Sequence, residues 1–291
     1  MSRIEQLGAW PARVLWVALA LVPGGTLDDA LSGRSTPVRL VVLVGLATVW
    51  TVGLVGLLVP RTASLTAVRV IVPGGLAAAA ATTATGHAVD GADLVALTVA
   101  ALSVAAVLAP WFTEAWVDGS SYGPEQRLPL QTPTVFALIV VPLTWTAVIA
   151  GLSVGPLLLA ARQWVPGTLA VVVGAPLAAA GIRSMHQLSR RWVVLVPAGL
   201  VLHDPLTMPE AQLFPRKSIA RLGAADADTD ADDYTAGASG LALQLDLIEP
   251  IDLLVRGRGR STETHMSEHL LFTPARPARL IDGARRNRIP V

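Results

Sequence analysis

Cysteine is absent from this chain of 291 residues, and lysine occurs once, at Lys217. No disulfide staple, thiol nucleophile or thiolate metal ligand is therefore available. Charged residues make up only 15% and aromatic residues 5%. What fills the chain instead is apolar: 53% of residues are hydrophobic and the mean hydropathy is +0.57, beyond what an ordinary soluble globule carries. The basic residues are almost all arginine against a background of Ala, Val, Leu and Gly, a bias that points to a GC-rich bacterial genome.

The apolar residues cluster before residue 183. Long runs with few charges recur, each near the roughly 20 residues needed to cross a hydrocarbon core of about 30 Å. The pattern predicts a polytopic helical membrane bundle over 1–183, with spans at 10–31, 38–59, 65–85, 93–112, 135–161 and 165–182. The first is predicted as an uncleaved helix kinked at Pro23, with a cleaved signal peptide as the alternative. Val22-Pro23-Gly24-Gly25 and Val72-Pro73-Gly74-Gly75 lie 50 residues apart, as do Leu58-Val59-Pro60 and Leu108-Ala109-Pro110. That offset predicts a duplicated helical hairpin.

Arginine placement sets the expected orientation, because cytoplasmic loops retain positive charge. Six spans with both termini inside put Arg3, Arg13, Arg61, Arg69, Arg127, Arg183, Arg190 and Arg191 on the inner side. The outer side receives Arg34, Arg39 and Arg162. The reading is thus a multi-pass protein of the bacterial cell membrane. Trp10, Trp111, Trp116, Trp164 and Trp192 fall at span ends, where indoles favour the headgroup layer.

Ionisable groups are missing from the central portions of spans two, four, five and six, so the coupling residue of an ion-driven carrier has no place there. The span hydroxyls, Thr48, Thr51, Thr82, Thr83, Thr85, Ser103, Thr144, Thr146 and Ser153, are expected mainly to bond their own helices. Gly151 and Gly155 form a GxxxG face for close helix approach, in cis or in a homo-oligomer.

A polar loop, 113–134, is rich in Gly and Pro and longer than a connector requires. Its Glu114, Asp118, Tyr122 and Arg127 are candidates for docking a soluble domain or a partner. Beyond a basic connector at Arg190 and Arg191, residues 190–291 read as a water-soluble, β-rich domain. Strands are predicted at 192–196, 200–203, 212–214, 218–222, 241–247, 251–256 and 270–273. In the fifth, Leu241, Leu243, Leu245 and Leu247 alternate with smaller or polar residues. A helix over Pro277 to Asn287, with Ala278, Ile281 and Arg285 at helical spacing, closes the chain.

Arg191-Trp192-Val193-Val194-Leu195-Val196, Gly199-Leu200 and Leu213 to Leu222 with Pro215 and Ile219 resemble the opening of bacterial PH-like (pleckstrin-homology-like) domains appended to membrane spans. The resemblance covers about 190–291 and implies antiparallel strands closed by a terminal helix. The acidic stretch Asp226 to Asp233 departs from that pattern; it lacks the Gly and Glu of a calcium loop and is expected to be a mobile surface loop. Arg256, Arg258 and Arg260 form a basic turn suited to anionic headgroups or an acidic partner. Aromatic interleaving is missing there, so nucleic acid is not an expected partner. His265 and His269 lack a third metal ligand, and no cofactor or catalytic motif emerges. The expected function is a non-enzymatic membrane scaffold or regulator docking a protein or the inner leaflet. The alternative is a transporter or channel component with a substrate path at the Pro-Gly kinks.

Overall fold

The computed structural model describes residues 8–21, 25–84, 89–257 and 261–291. It divides into two compact units: Met1–Trp116 with Pro142–His186, and Val117–Val141 with Gln187–Val291.

The first unit is helical. Its elements are α1 (Trp10–Leu21), α2 (Gly25–Leu31), α3 (Thr36–Leu58), α4 (Thr62–Thr83), α5 (Gly91–Leu108), α6 (Pro110–Asp118), α7 (Val141–Ala160, entered through a π-helical turn at Phe136–Val140) and α8 (Trp164–Leu188). Among the described residues five helices are long and apolar enough to cross a membrane: α3, α4, α5, α7 with its entry turn, and α8. A multi-pass membrane protein follows. The expected first span, 10–31, is described as α1 and α2, which flank residues outside the description. α1 has 12 residues, about 18 Å, and α2 only 7, with the expected kink at Pro23 outside the described residues.

α1 runs antiparallel to α3. Arg13 lies opposite Leu57, and Trp16 opposite Trp50. The fit at Trp16 depends on two glycines, because a Cβ placed on Gly53 would stand 2.8 Å from its Cζ2 and one on Gly75 would stand 3.1 Å from its Cζ3. The C-terminus of α3 shows why indoles sit inside this unit. The carbonyl of Gly56 has no helical donor, since Pro60 lacks an N–H. The Trp116 indole supplies one at 3.1 Å, and Arg13 Nε caps Leu57 at 2.9 Å. Trp145 likewise donates to the Val70 carbonyl at 2.8 Å.

At one end of the expected repeat Leu58 and Leu108 both close helices; at the other, Pro73 lies inside α4, while Pro23 and Gly24 are outside the described residues. Most of the span hydroxyls bond back to their own helix: Thr48, Thr51, Thr82, Thr83, Ser103, Thr146 and Ser153 each donate to a carbonyl three or four residues earlier. Thr85 lies outside the described residues.

α7 and α8 pack along a glycine seam. A Cβ on Gly151 would sit 2.5 Å from the Gly174 carbonyl oxygen, and one on Gly155 would sit 2.5 Å from Val171 Cγ2. Gly181 meets Thr144 and Val148, and Gly167 meets Leu159. The GxxxG face of Gly151 and Gly155 thus packs within the chain, which is the in-cis alternative.

The second unit is a β structure around one core. Strands β1 (Gln126–Pro129), β2 (Trp192–Val196), β3 (Gly199–His203) and β4 (Gln212–Pro215) form an antiparallel sheet in that order. A second sheet has the order β5 (Ile219–Ala224), β7 (Leu243–Arg256), β8 (Thr262–Phe272), β6 (Asp232–Asp233). Leu128, Val193, Leu195, Leu200, Leu202 and Phe214 from the first sheet share a core with Leu222, Leu243, Leu245, Leu253 and Phe272 from the second. Helix α9 (Pro277–Arg286) adds Leu280 and Ala284, while the expected face residues Ala278 and Arg285 are exposed.

Three further corrections concern this unit. The polar loop is not part of the helical unit beyond Trp116, because β1 lies within it and pairs with β2 in the register Leu128↔Val193. The acidic stretch is partly ordered, Asp232 and Asp233 pairing parallel to Leu270 and Leu271. The predicted strands at 241–247 and 251–256 are one strand, bent by a register shift between Asp246 and Ile251 where Pro250 lacks a ladder donor.

Candidate interaction surface

Five of the seven residues singled out from sequence are described. Glu114 is buried in α6 within the helical unit. The Asp118 carboxylate is occupied as a turn fastener: Oδ1 accepts from Ser121 Oγ and from the Arg127 backbone N–H, both at 2.8 Å. Arg127 pairs with Glu125 at 2.9 Å and lies 5.7 Å from the Trp192 ring centroid. That indole stacks on His203 across the β2–β3 ladder at 4.8 Å. Trp192 therefore belongs to a sheet face, and Trp116 to a helical core, rather than to an aromatic belt; Trp10 and Trp164 are exposed, as a belt requires. Arg256 is tied down, its Nε donating to the Pro205 carbonyl at 2.7 Å and its backbone N–H to Thr207. Arg258 and Arg260 lie outside the described residues. Tyr122, 83% exposed on its turn, presents a free aromatic face.

Sequence reasoning missed the strongest electrostatic contact. Arg191, taken as part of a basic connector, is buried and forms a bidentate pair with Asp204, Nε to Oδ1 at 2.7 Å and Nη2 to Oδ2 at 2.6 Å. Its Nη1 also donates to the Gln131 carbonyl at 2.8 Å, joining the end of β1 to β2 and β3. The signal available was faint: an Arg opening a strand and an Asp closing the next, 13 residues apart.

Among the strands of this unit, β7 and β8 carry the most exposed apolar side chains. Alternation turns Leu253 and Ser267 inward and sets Leu254 against Thr264 and Asp252 against Met266 on the outer face. Met266 is 65% exposed, Ile248 60% and Leu254 44%. At the other end of the hairpin His269 Nδ1 meets Asp246 at 2.8 Å, and His265 Nε2 meets Asp232 at 3.0 Å. His269 Nε2 also lies 4.0 Å from Glu268, yet among the described residues no group of three or more His, Cys, Asp or Glu is arranged to hold a metal. Tyr234 is buried beneath the same edge. Burial first, and the Asp232 carboxylate second, raise its phenol above the ordinary value near 10, against a smaller lowering by the Ser267 hydrogen bond.

No protein-family model, curated protein or solved structure matches the chain.

Proposed function

We propose that this chain is a membrane scaffold or regulatory protein of the bacterial cell membrane whose β unit, on the cytoplasmic side with both termini, docks a partner protein or the inner leaflet. The observation that carries the reading is the splice between the units. β1 precedes the α7–α8 hairpin and β2 follows it, yet the two strands pair residue by residue, Gln126↔Leu195 to Pro129↔Trp192. A soluble module that needed only localisation would be served by a flexible tether. Here two membrane-spanning helices are inserted within one sheet, an arrangement suited to holding a docking surface at the membrane.

Two antiparallel sheets around one core, closed by α9, support the PH-like resemblance; β1 and the short parallel β6 are additions to it. The antiparallel register of α1 with α3 supports a sixth crossing through the segment that holds α1 and α2, which returns both termini to one side. The transporter alternative draws less support, because Gly75 beside Pro73 packs against Trp16 and Leu19 rather than lining an opening.

The test is site-specific photo-crosslinking of the full chain in native membranes from Tyr122, Leu254 and Met266. A discrete protein or lipid adduct at Met266 that disappears in Leu254→Glu supports the reading. Failure to trap any neighbour at all three positions overturns it.

A further inference from the structure

Arg69 is the one arginine set within a long apolar helix away from its ends among the described residues, in the third turn of α4. Its Nη2 donates to the Thr113 hydroxyl at 2.7 Å. That is a neutral partner. Nε is closed off from solvent and has no hydrogen-bond partner, and among the described residues no carboxylate forms an ion pair with the guanidinium. Arginine cannot relieve this by losing its proton, since its charge is permanent at any physiological pH. The side chain is nevertheless only partly covered, so its remaining donors can be reached.

The surroundings are polar in a way the rest of the span is not. Thr66, one turn earlier on the same face, shares a 2.9 Å hydrogen bond with His186 Nδ1 near the end of α8. Thr113 belongs to α6 and hydrogen-bonds back to the Ala109 carbonyl as well. Three helices thus bring hydroxyls and an imidazole to the neighbourhood of an uncompensated cation. Arg69 stands seven residues in from Thr62, about 10 Å along the axis. With a headgroup boundary near Thr62, a phosphate is within reach of an arginine side chain at that depth.

A planar cation with idle donors, hydroxyls beside it and, among the described residues, no carboxylate paired to it is complementary to an oxyanion, and arginine's fork matches phosphate geometry above all. We propose that Arg69, with Thr113, binds a phosphate group, presented either by a phospholipid headgroup or as free phosphate. The site does not depend on the docking role of the β unit and can stand or fall without it.

The experiment uses the purified full chain in neutral detergent and has two arms. Native mass spectrometry after exposure to phosphatidylglycerol–phosphatidylethanolamine vesicles reads retained lipid. Calorimetric titration of the delipidated protein with inorganic phosphate, against chloride, reads the free anion. Arg69→Gln is expected to weaken binding at least about tenfold, because a charge-assisted hydrogen bond to phosphate is lost. Binding confined to the first arm assigns a headgroup; binding in the second assigns free phosphate. The proposal is overturned if the wild type binds in neither arm, if chloride competes as well as phosphate, or if Arg69→Gln binds like the wild type. Should Arg69→Gln not fold, Arg69→Lys decides: it keeps the charge and loses the fork, so undiminished binding overturns the phosphate assignment.

Discussion

Trp16 and Trp50 each donate an indole N–H to the other's backbone carbonyl, at 3.0 and 3.1 Å. The exchange locks α1 to α3 inside an apolar environment where no water competes for either group. Trp16→Phe should remove one such bond for about 1 kcal/mol, whereas Trp16→Ala should also empty the space against Gly53 and Gly75 and cost about 3–5 kcal/mol. Thermal unfolding of the detergent-solubilised chain, followed by intrinsic fluorescence or a thiol-independent dye, will rank the two. Equal melting temperatures would show that the pair does not secure α1.

Replacing Gly174 by Ala should destabilise the chain, since the new methyl would meet the Gly151 backbone, with its Cβ 2.7 Å from that carbonyl oxygen. Gly45→Ala is the control. Nothing lies within 4 Å of a Cβ there, so the change should be neutral or stabilising by up to about 1 kcal/mol through helix propensity. Opposite signs of the two shifts in melting temperature are the expected outcome.

Removal of one partner from the Arg191–Asp204 pair leaves the other charge buried among apolar strands. Asp204→Ala should therefore cost about 3–5 kcal/mol, and Arg191→Met combined with Asp204→Ala should cost less than the single change. Chemical denaturation followed by fluorine NMR of the fluorotryptophan-labelled chain reads this unit at the Trp192 resonance, because that indole belongs to β2. A double variant weaker than the single would contradict the account.

A fragment of 190–291 should not fold, despite containing most of the strands, because β2 would lose its β1 partner and Leu128 its place in the core. Joining 117–133 by a short Gly/Ser linker to 187–291 should restore a monomeric, cooperatively unfolding domain. Size-exclusion chromatography and two-dimensional NMR of the two fragments will distinguish them.

The raised Tyr234 phenol predicts alkaline sensitivity. A group that holds its proton more tightly when folded contributes stability that is complete below the unfolded value near 10 and is lost as pH rises through the folded value. Urea midpoints should fall above about pH 10 in the wild type and fall less in Tyr234→Phe. Parallel curves for the two proteins would rule out this linkage.

Where one force dominated, the sequence was legible. Continuous apolar runs identified α3, α4, α5, α7 and α8, and the 243, 245, 247 alternation identified the core face of β7. Long-range pairing was not. β1 is four residues inside a Gly- and Pro-rich loop, and its strand character depends on partners more than 60 residues later. β8 opens with the polar series Thr262 to His265, which becomes a strand only through its ladder with β7. At the candidate sites, residue type revealed charge but not where it is spent: Arg191 and Asp118 were read as surface groups, although strand pairing and turn geometry enclose them.

The insertion of α7 and α8 between β1 and β2 also constrains biogenesis. The first strand leaves the ribosome long before its neighbour and must wait, unpaired and edge-exposed, while both helices are handed to the insertion machinery. A chain whose hairpin fails to integrate thus displays an incomplete sheet, a signal that quality-control proteases can read directly.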